Sequence, residues 1–531
     1  MSRSGGASRR RSPLVILGRP KGGPFLLLIP VLKNIGSNWT LIAFTVVASY
    51  VTTPLIIHVL GDQGYGTWTL INAMTGYMGL LALGVPMACV RYLAQHIAEG
   101  DERKVNETIG TCAGLYLMLG VGAVIVGAAL GLTFLAYDIP LDIRTQAYLT
   151  FGMMVVYVAM SFIGFLPEGI FYAHHDFVRR NTIKMGGVLL RVGLTVGLLT
   201  LHPSLLLLAT IQLAGLLFDF SLSWMLIRRL YPHVRIRLGD FNGTTLRRIF
   251  SFSVYVLVLG TGARLSFETD ALVIGGVLGV SAIPAYAIAN SLVVYLVEFV
   301  IGIAAVVSPM ATTLMSTGRS VELRELFLKW SKIALSLTIA AGAFLIVLGP
   351  RFIAWWIGPE YEYSSGPVLQ ILMASSFVFL PARGVALPIL MGLGKPRTPT
   401  LAYLAAGLLN LALSLALARP FGLVGVAIGT AIPNVLFALG VVWVACRELN
   451  ITMPQYISYV VPRAALGALP VLGLLFWFKV QWQVNGLGGL IAAGVAMALL
   501  FAAIWILFVY RDDPYVDMRT PLGRLRAWGR A

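Results

Sequence analysis

Charge is what this sequence most lacks. Only 11% of its 531 residues are Asp, Glu, Lys or Arg, about half the share of an ordinary soluble domain. With 58% hydrophobic residues, a soluble surface is out of reach, and the chain reads as a multispanning membrane protein. Acidic groups are the scarcer sign, 22 against 39 basic, for a net charge of +17. The positive-inside rule accounts for that excess better than nucleic-acid binding does. Cysteine is nearly missing too. Cys89, Cys112 and Cys446 sit in or beside apolar runs and form no paired motif, which leaves no disulfide framework, metal site or thiol chemistry. No Gly-x-x-x-x-Gly-Lys-Ser/Thr loop occurs, so no nucleotide drives the protein. His174-His175-Asp176 supplies too few ligands for a metal and, with Arg179-Arg180, reads as a solvated inner loop. No catalytic residue, metal or cofactor is expected.

Long apolar runs are what the sequence has. Fourteen stretches of at least 19 residues lie near 38–60, 67–92, 109–136, 146–172, 183–201, 205–227, 250–276, 284–312, 330–354, 367–391, 400–418, 423–446, 460–478 and 487–509. About 20 residues are needed to cross a bilayer as a helix. With the N-terminus placed inside, 32 Lys and Arg fall on the inner side and four (Arg144, Arg351, Arg419 and Lys479) on the outer side. That asymmetry supports fourteen spans and both ends in the cytoplasm. Ser8-Arg9-Arg10-Arg11 is a faint twin-arginine pattern, but the apolar run after it is too short for a signal. A basic cytoplasmic tail is the reading. Pro24 to Leu32 is too short to span and is placed at the interface, and Glu322 to Lys332 reads as an amphipathic helix along the inner surface.

A shift of 218 residues superposes the chain on itself. Val59-Leu60-Gly61 falls on Val277-Leu278-Gly279, Asn72 on Asn290, Tyr77 on Tyr295, Gly84 on Gly302, Gly100 on Gly318 and Glu107 on Glu325. Six spans separate the copies, so the halves share one orientation about an axis along the membrane normal. The expected organisation is a basic N-terminal segment (1–37), an N-lobe of spans 1–6 (38–230), a cytoplasmic linker (231–249), a C-lobe of spans 7–12 (250–446), spans 13–14 (447–510) and a basic tail (511–531). The fold class is all-α membrane protein, two six-helix pseudo-repeat lobes plus an extra C-terminal pair.

The opening hairpin carries a family resemblance. Asn38-Trp39, Leu60-Gly61, Tyr65-Gly66-Thr67-Trp68, Leu83-Gly84, Arg91-Tyr92 and Gly100-Asp101, in that order and spacing, resemble the start of the Wzx-like polysaccharide flippases of the multidrug/oligosaccharidyl-lipid/polysaccharide (MOP) exporter superfamily. The resemblance implies a fold like the MATE transporters and the flippase MurJ. It implies an undecaprenyl-diphosphate-linked glycan as cargo, a bacterial cytoplasmic membrane location and a place in surface or exopolysaccharide synthesis. Membrane lipids and a polysaccharide polymerase or export machinery are the partners it implies. It also suggests a polyprenyl-tail groove beside spans 13 and 14. A lipid II flippase and a multidrug exporter are the alternatives within the superfamily. A polymerase or ligase enzyme is the rival class, and it lacks the large outer loop such chemistry needs.

Charges inside spans are costly, about 2.5–3.5 kcal/mol each at the centre, and mark candidate sites. Arg191, Arg264 and Arg383 are candidates for a cationic cleft holding a pyrophosphate, which the planar guanidinium fork binds in pairs; helix pairing or snorkelling is the plain alternative. Asn72 and Asn290 either face that cleft or bond helices together, as Asn410 and Asn434 do. Asp270, Glu268 and Glu298 are candidates for coupling to H⁺ or Na⁺ in an antiport cycle. Glu268, four residues after Arg264, can equally serve only to neutralise it.

Overall fold

The computed structural model describes residues 24–82, 84–482, 484 and 486–516. The basic segment 1–23 and the tail 517–531 lie outside the described residues. The N-terminal half comprises α1 (Pro24–Met78), α2 (Val85–Glu99), α3 (Glu102–Phe134), α4 (Leu141–Ala173), α5 (Phe177–Leu198) and α6 (Leu205–Leu230). Next come α7 (Gly243–Phe267), α8 (Thr269–Val277), α9 (Ile283–Ile301), α10 (Ala304–Ser316), α11 (Ser320–Val347), α12 (Gly349–Trp356), α13 (Tyr361–Pro381), α14 (Leu387–Gly392) and α15 (Arg397–Glu448). The chain closes with α16 (Met453–Val460), α17 (Pro462–Val480) and α18 (Leu487–Ile504). Ten helical stretches among the described residues are long and apolar enough to cross a membrane. Two of them double back at a single non-helical glycine, Gly61 (φ 67°) in α1 and Gly422 (φ 59°) in α15. Only glycine enters this left-handed region without a Cβ penalty. The arms of α15 meet again where Asn410 Nδ2 donates to Thr430 Oγ1 at 2.9 Å. With those two doubled-back stretches counted twice, and with α5 and the jointed pair α7–α8 added to the ten, the described helices make fourteen passes.

The face bearing the Gly61, Gly279 and Gly422 turns is called here the turn face, and the opposite one the basic face. The internal repeat is visible in the backbone. Gly61 and Gly279 both have positive φ at turns, and Gly100 and Gly318 both sit at φ 70° after a helix end. The second crossing is broken between Met78 and Val85, and its counterpart between Ile301 and Ala304. Gly66 lies against Pro284, its own partner under the 218-residue shift, and against the Val280 carbonyl. Contact between equivalent positions is what a two-fold axis produces.

Within lipid, helices gain little from hydrophobic burial and associate through close backbone approach. A Cβ on Gly262 of α7 would sit 2.8 Å from the backbone of Tyr403–Leu404 in α15, and one on Gly127 of α3 2.5 Å from Val155 of α4. On the turn face the halves are latched. Trp356 Nε1 donates to the Tyr50 carbonyl at 2.9 Å, and Tyr361 bonds Asp62 in the first turn.

The region Glu322–Lys332, expected along the surface, is instead the start of α11, which runs unbroken from Ser320 into the span. Lys332 is 1% exposed. Its ammonium meets Asp513 at 2.5 Å and lies 4.8 and 5.5 Å from the ring centres of Tyr459 and Tyr510. Tyr459 donates to the same carboxylate at 2.8 Å. This buried pair fastens the segment after α18 to the C-terminal lobe. Burial acts to raise the Asp513 pKa, but the Lys332 and Tyr459 hydrogen bonds outweigh it and hold the carboxyl below its ordinary value.

Candidate transport site

The three arginines are not gathered at one point. Arg264 lies one turn before the end of α7 and pairs with Glu268 at the α7–α8 joint. Gly76 of α1 and Gly79, just past its end, make room for this pair: a Cβ on Gly76 would come within 2.5 Å of Glu268 Oε2. The pair therefore sits in the seam between the lobes. Arg383 lies inside the C-terminal lobe, in the five-residue wide turn Ala382–Ala386, with its guanidinium 4.8 Å from the Tyr403 ring centre. That face-on placement is a cation–π contact.

Arg191 is on α5 and packs over Gly215 of α6. It lines a cavity of about 310 Å³ between α1, α4, α5 and α6. Four other charged groups line the same space. Arg180, 4% exposed, takes both oxygens of Asp219 and reaches Glu168 Oε2 at 3.2 Å, while Lys184 meets Glu168 Oε1 at 2.7 Å. Both carboxylates are thus engaged, and among the described residues no carboxylate pairs with Arg191. Arg180 was expected in a solvated loop. It is buried because Glu168 and Asp219, from α4 and α6, converge on it. No single-helix spacing announces such a meeting.

Asp270 lies in the first turn of α8 and is 2% exposed. Tyr286 of α9 donates to its Oδ2 at 2.6 Å, and Thr430 Oγ1 lies 3.0 and 3.1 Å from its two oxygens. The Ser414 hydroxyl stands beside the carboxyl and donates to the Val426 carbonyl at 3.5 Å. Asn410 bonds Thr430, and its own Oδ1 is buried without a partner. Among the described residues no Lys, Arg or His pairs with Asp270. The result is a buried cluster of oxygens around a carboxylate, with no protein cation bonded to it among the described residues. An ionised carboxylate held there costs several kcal/mol unless a cation accompanies it. A proton or a sodium ion suits an all-oxygen donor set; a softer metal does not. Asp270 was named from the sequence, but Tyr286, Ser414 and Thr430 were not. They come from α9 and from both arms of α15, and only the fold brings them together.

The other named residues are dispersed. Asn72 donates to the Trp68 carbonyl of its own helix at 2.7 Å. Asn290 is half-buried on α9, and Glu298 is exposed near that helix's end. Close to Glu298 runs an apolar groove of about 530 Å³, between Tyr50, Tyr295, Phe299 and Phe352 on one side and Leu490, Gly494 and Met497 of α18 on the other.

Two pseudo-equivalent lobes, broken crossings at matching positions and an added helix pair make a multi-pass, all-helical membrane fold shared with solved MATE and MurJ structures. The lipid II flippase MurJ in an inward closed conformation superposes with a TM-score of 0.67 over 91% of this chain and 99% of that one, at 14% identity. An inward-facing MATE family multidrug transporter gives 0.63 over 76% and 94%, at 17% identity. More particularly, residues 31–315 match the family described as polysaccharide biosynthesis protein, and the chain belongs to that family. Among its relatives are the Bacillus subtilis membrane protein EpsK, 24% identical over 416 residues (76% of this chain, 80% of EpsK). Another is a Shigella flexneri protein named as an O-antigen transporter, 22% identical over 436 residues (79% and 99%).

Proposed function

We propose that this protein is a flippase that carries an undecaprenyl-diphosphate-linked oligosaccharide across the bacterial cytoplasmic membrane for surface polysaccharide synthesis. Both chain ends are on the cytoplasmic side. The observation that carries the reading is Arg191: a guanidinium at membrane depth, facing a cavity whose carboxylates are already bound elsewhere. Such a charge is retained only with a reason, and an anionic ligand supplies one. The diphosphate enters against Arg191, with Lys184 next to it, while the polyprenyl chain lies along the apolar groove beside α18. The glycan has no bilayer to enter and stays between the lobes.

Transport follows by alternating access. Closure of the turn face, through the Trp356–Tyr50 and Tyr361–Asp62 contacts, favours loading from the basic face. The membrane potential assists export. Each negative charge leaving a cytoplasm held 100 mV negative gains about 2.3 kcal/mol. Resetting the empty carrier is the work of a cation that enters through Asp270. Occupied, the oxygen pocket is neutral and packs tightly; emptied, it leaves a bare carboxylate in a dry interior, which loosens α8 against α9 and α15.

The test is flipping of a fluorescent undecaprenyl-diphosphate-linked oligosaccharide in proteoliposomes. Arg191→Ala is expected to abolish it and Arg191→Lys to retain a measurable part. Unchanged flipping in Arg191→Ala would remove the headgroup assignment. Faster flipping of lipid II than of the oligosaccharide would assign the protein to peptidoglycan precursors instead.

A further inference from the structure

Tyr77 and Tyr295 are equivalent under the repeat, and each reaches across to the opposite lobe. Tyr295 meets the first arm of α1, with its ring 5.6 Å from that of Tyr50. Tyr77 meets the α7–α8 joint. Its hydroxyl is 2.5 Å from Thr269 Oγ1 and donates towards the Arg264 carbonyl at 3.3 Å. The scaffold is symmetric here, but the chemistry is not. On the Tyr77 side the residue after the contact is Asp270.

Thr269 and Asp270 are consecutive in the first turn of α8, so their side chains leave the helix about 100° apart. One points into the lobe seam, the other into the oxygen pocket. Immediately before them Glu268 breaks the helix, at φ −112° and ψ −17°. The groups facing Asp270 are Tyr286 from α9 and Asn410, Ser414 and Thr430 from α15, while Arg264 and Glu268 face the seam. We infer that the Tyr77–Thr269 hydrogen bond is the link through which cation occupancy at Asp270 sets the closure of the seam between α1 and α7–α8. This rests on the coupling role proposed for Asp270. When the pocket is empty, the first turn of α8 shifts about the Glu268 joint to give its carboxylate a better-solvated position. Tyr77 carries that shift into the N-terminal lobe. Tyr77 and Thr269 are positioning residues; neither touches the cation.

The experiment uses the full chain in nanodiscs, with spin labels replacing Leu141 and Tyr363, which are 80% and 84% exposed on the two lobes. Distances are measured in sodium against potassium, and separately at low against high pH, with sodium binding followed in parallel. The parent is expected to shift its distance distribution with one of the two cations, and Asp270→Asn to show no shift. Tyr77→Phe and Thr269→Val are expected to bind the cation as the parent does and yet lose about fivefold or more of the population shift, as removal of one hydrogen bond implies. Thr269→Ser, which keeps the hydroxyl, restores it. A parent-like shift in Tyr77→Phe and Thr269→Val overturns the link alone. Loss of cation binding in Thr269→Val also overturns it, because Thr269 would then belong to the pocket. Absence of any shift in the parent, or a shift that survives in Asp270→Asn, overturns the coupling role of Asp270 and the link with it.

Discussion

Gly66→Ala tests the closed turn face directly. A Cβ built on Gly66 stands 1.9 Å from the Val280 carbonyl oxygen, 2.9 Å from its carbon and 3.3 Å from Pro284 Cδ. Carbon and oxygen in ordinary contact need about 3.3 Å, so the backbones must part by roughly 1.4 Å, and no flexible side chain can give way instead. Overpacking of this kind costs about 1–3 kcal/mol. If that cost falls only on the conformation in which the second arm of α1 touches the 280–284 turn, the ratio of open to closed molecules rises about 5- to 150-fold. Thr67, adjacent and fully buried, serves as reporter. In Thr67→Cys, a membrane-impermeant maleimide should react slowly, and the additional Gly66→Ala change should accelerate it by that factor. The native thiols Cys89, Cys112 and Cys446 are all buried and give a low background. Gly152→Ala is the control, since nothing lies within 4 Å of its Cβ position. Equal labelling with and without Gly66→Ala, together with normal flipping, would show that this contact does not gate the turn face.

Other outcomes follow from the charges. Asp270→Asn imitates the neutral pocket, so flipping should persist as an equilibration down the lipid gradient while losing its response to an imposed sodium or proton gradient in proteoliposomes. Lys332→Met strands the Asp513 carboxylate and should lower stability by about 3–5 kcal/mol, read as a fall in the thermal midpoint; adding Asp513→Asn should recover most of it. The lowered Asp513 pKa means that the stability this group contributes is complete above the ordinary carboxylate range and is lost only as pH falls through the folded value. The melting temperature should therefore show no step from this carboxyl across about pH 6 to 8. Arg383→Lys keeps charge but not the planar stack on Tyr403, and a change in melting temperature without a change in ligand affinity is expected.

Much of the architecture could be read from the sequence because the membrane imposes it. Apolar length gave the crossings, and Gly61 and Gly279 marked turns because only glycine accepts that backbone there. The repeat was legible for the same reason: its surviving matches are positions where backbone geometry admits few residues, such as Gly100 and Gly318. The site was less legible. Asp270 stood out as a charge within a span, but its partners Thr430 and Ser414 are small polar residues of the kind common in membrane helices. Arg180 looked like a loop residue because the sequence places it beside Arg179 and Asp176, and only the packing of α4 against α6 gives it Glu168 and Asp219. Lys332 was misjudged likewise, since its counter-charge lies 181 residues further on.

That separation in the chain has a consequence for biogenesis. Lys332 leaves the ribosome long before Asp513 exists. At about 5–20 residues per second the interval is roughly 10–35 seconds. During this time α11 cannot settle at its final depth without stranding an ammonium in a dry environment. The helix waits near the headgroups, or a temporary anion shields it, until the last crossing is made and residue 513 arrives. A chain released before residue 513 is added would then carry every transmembrane segment and still fail to mature.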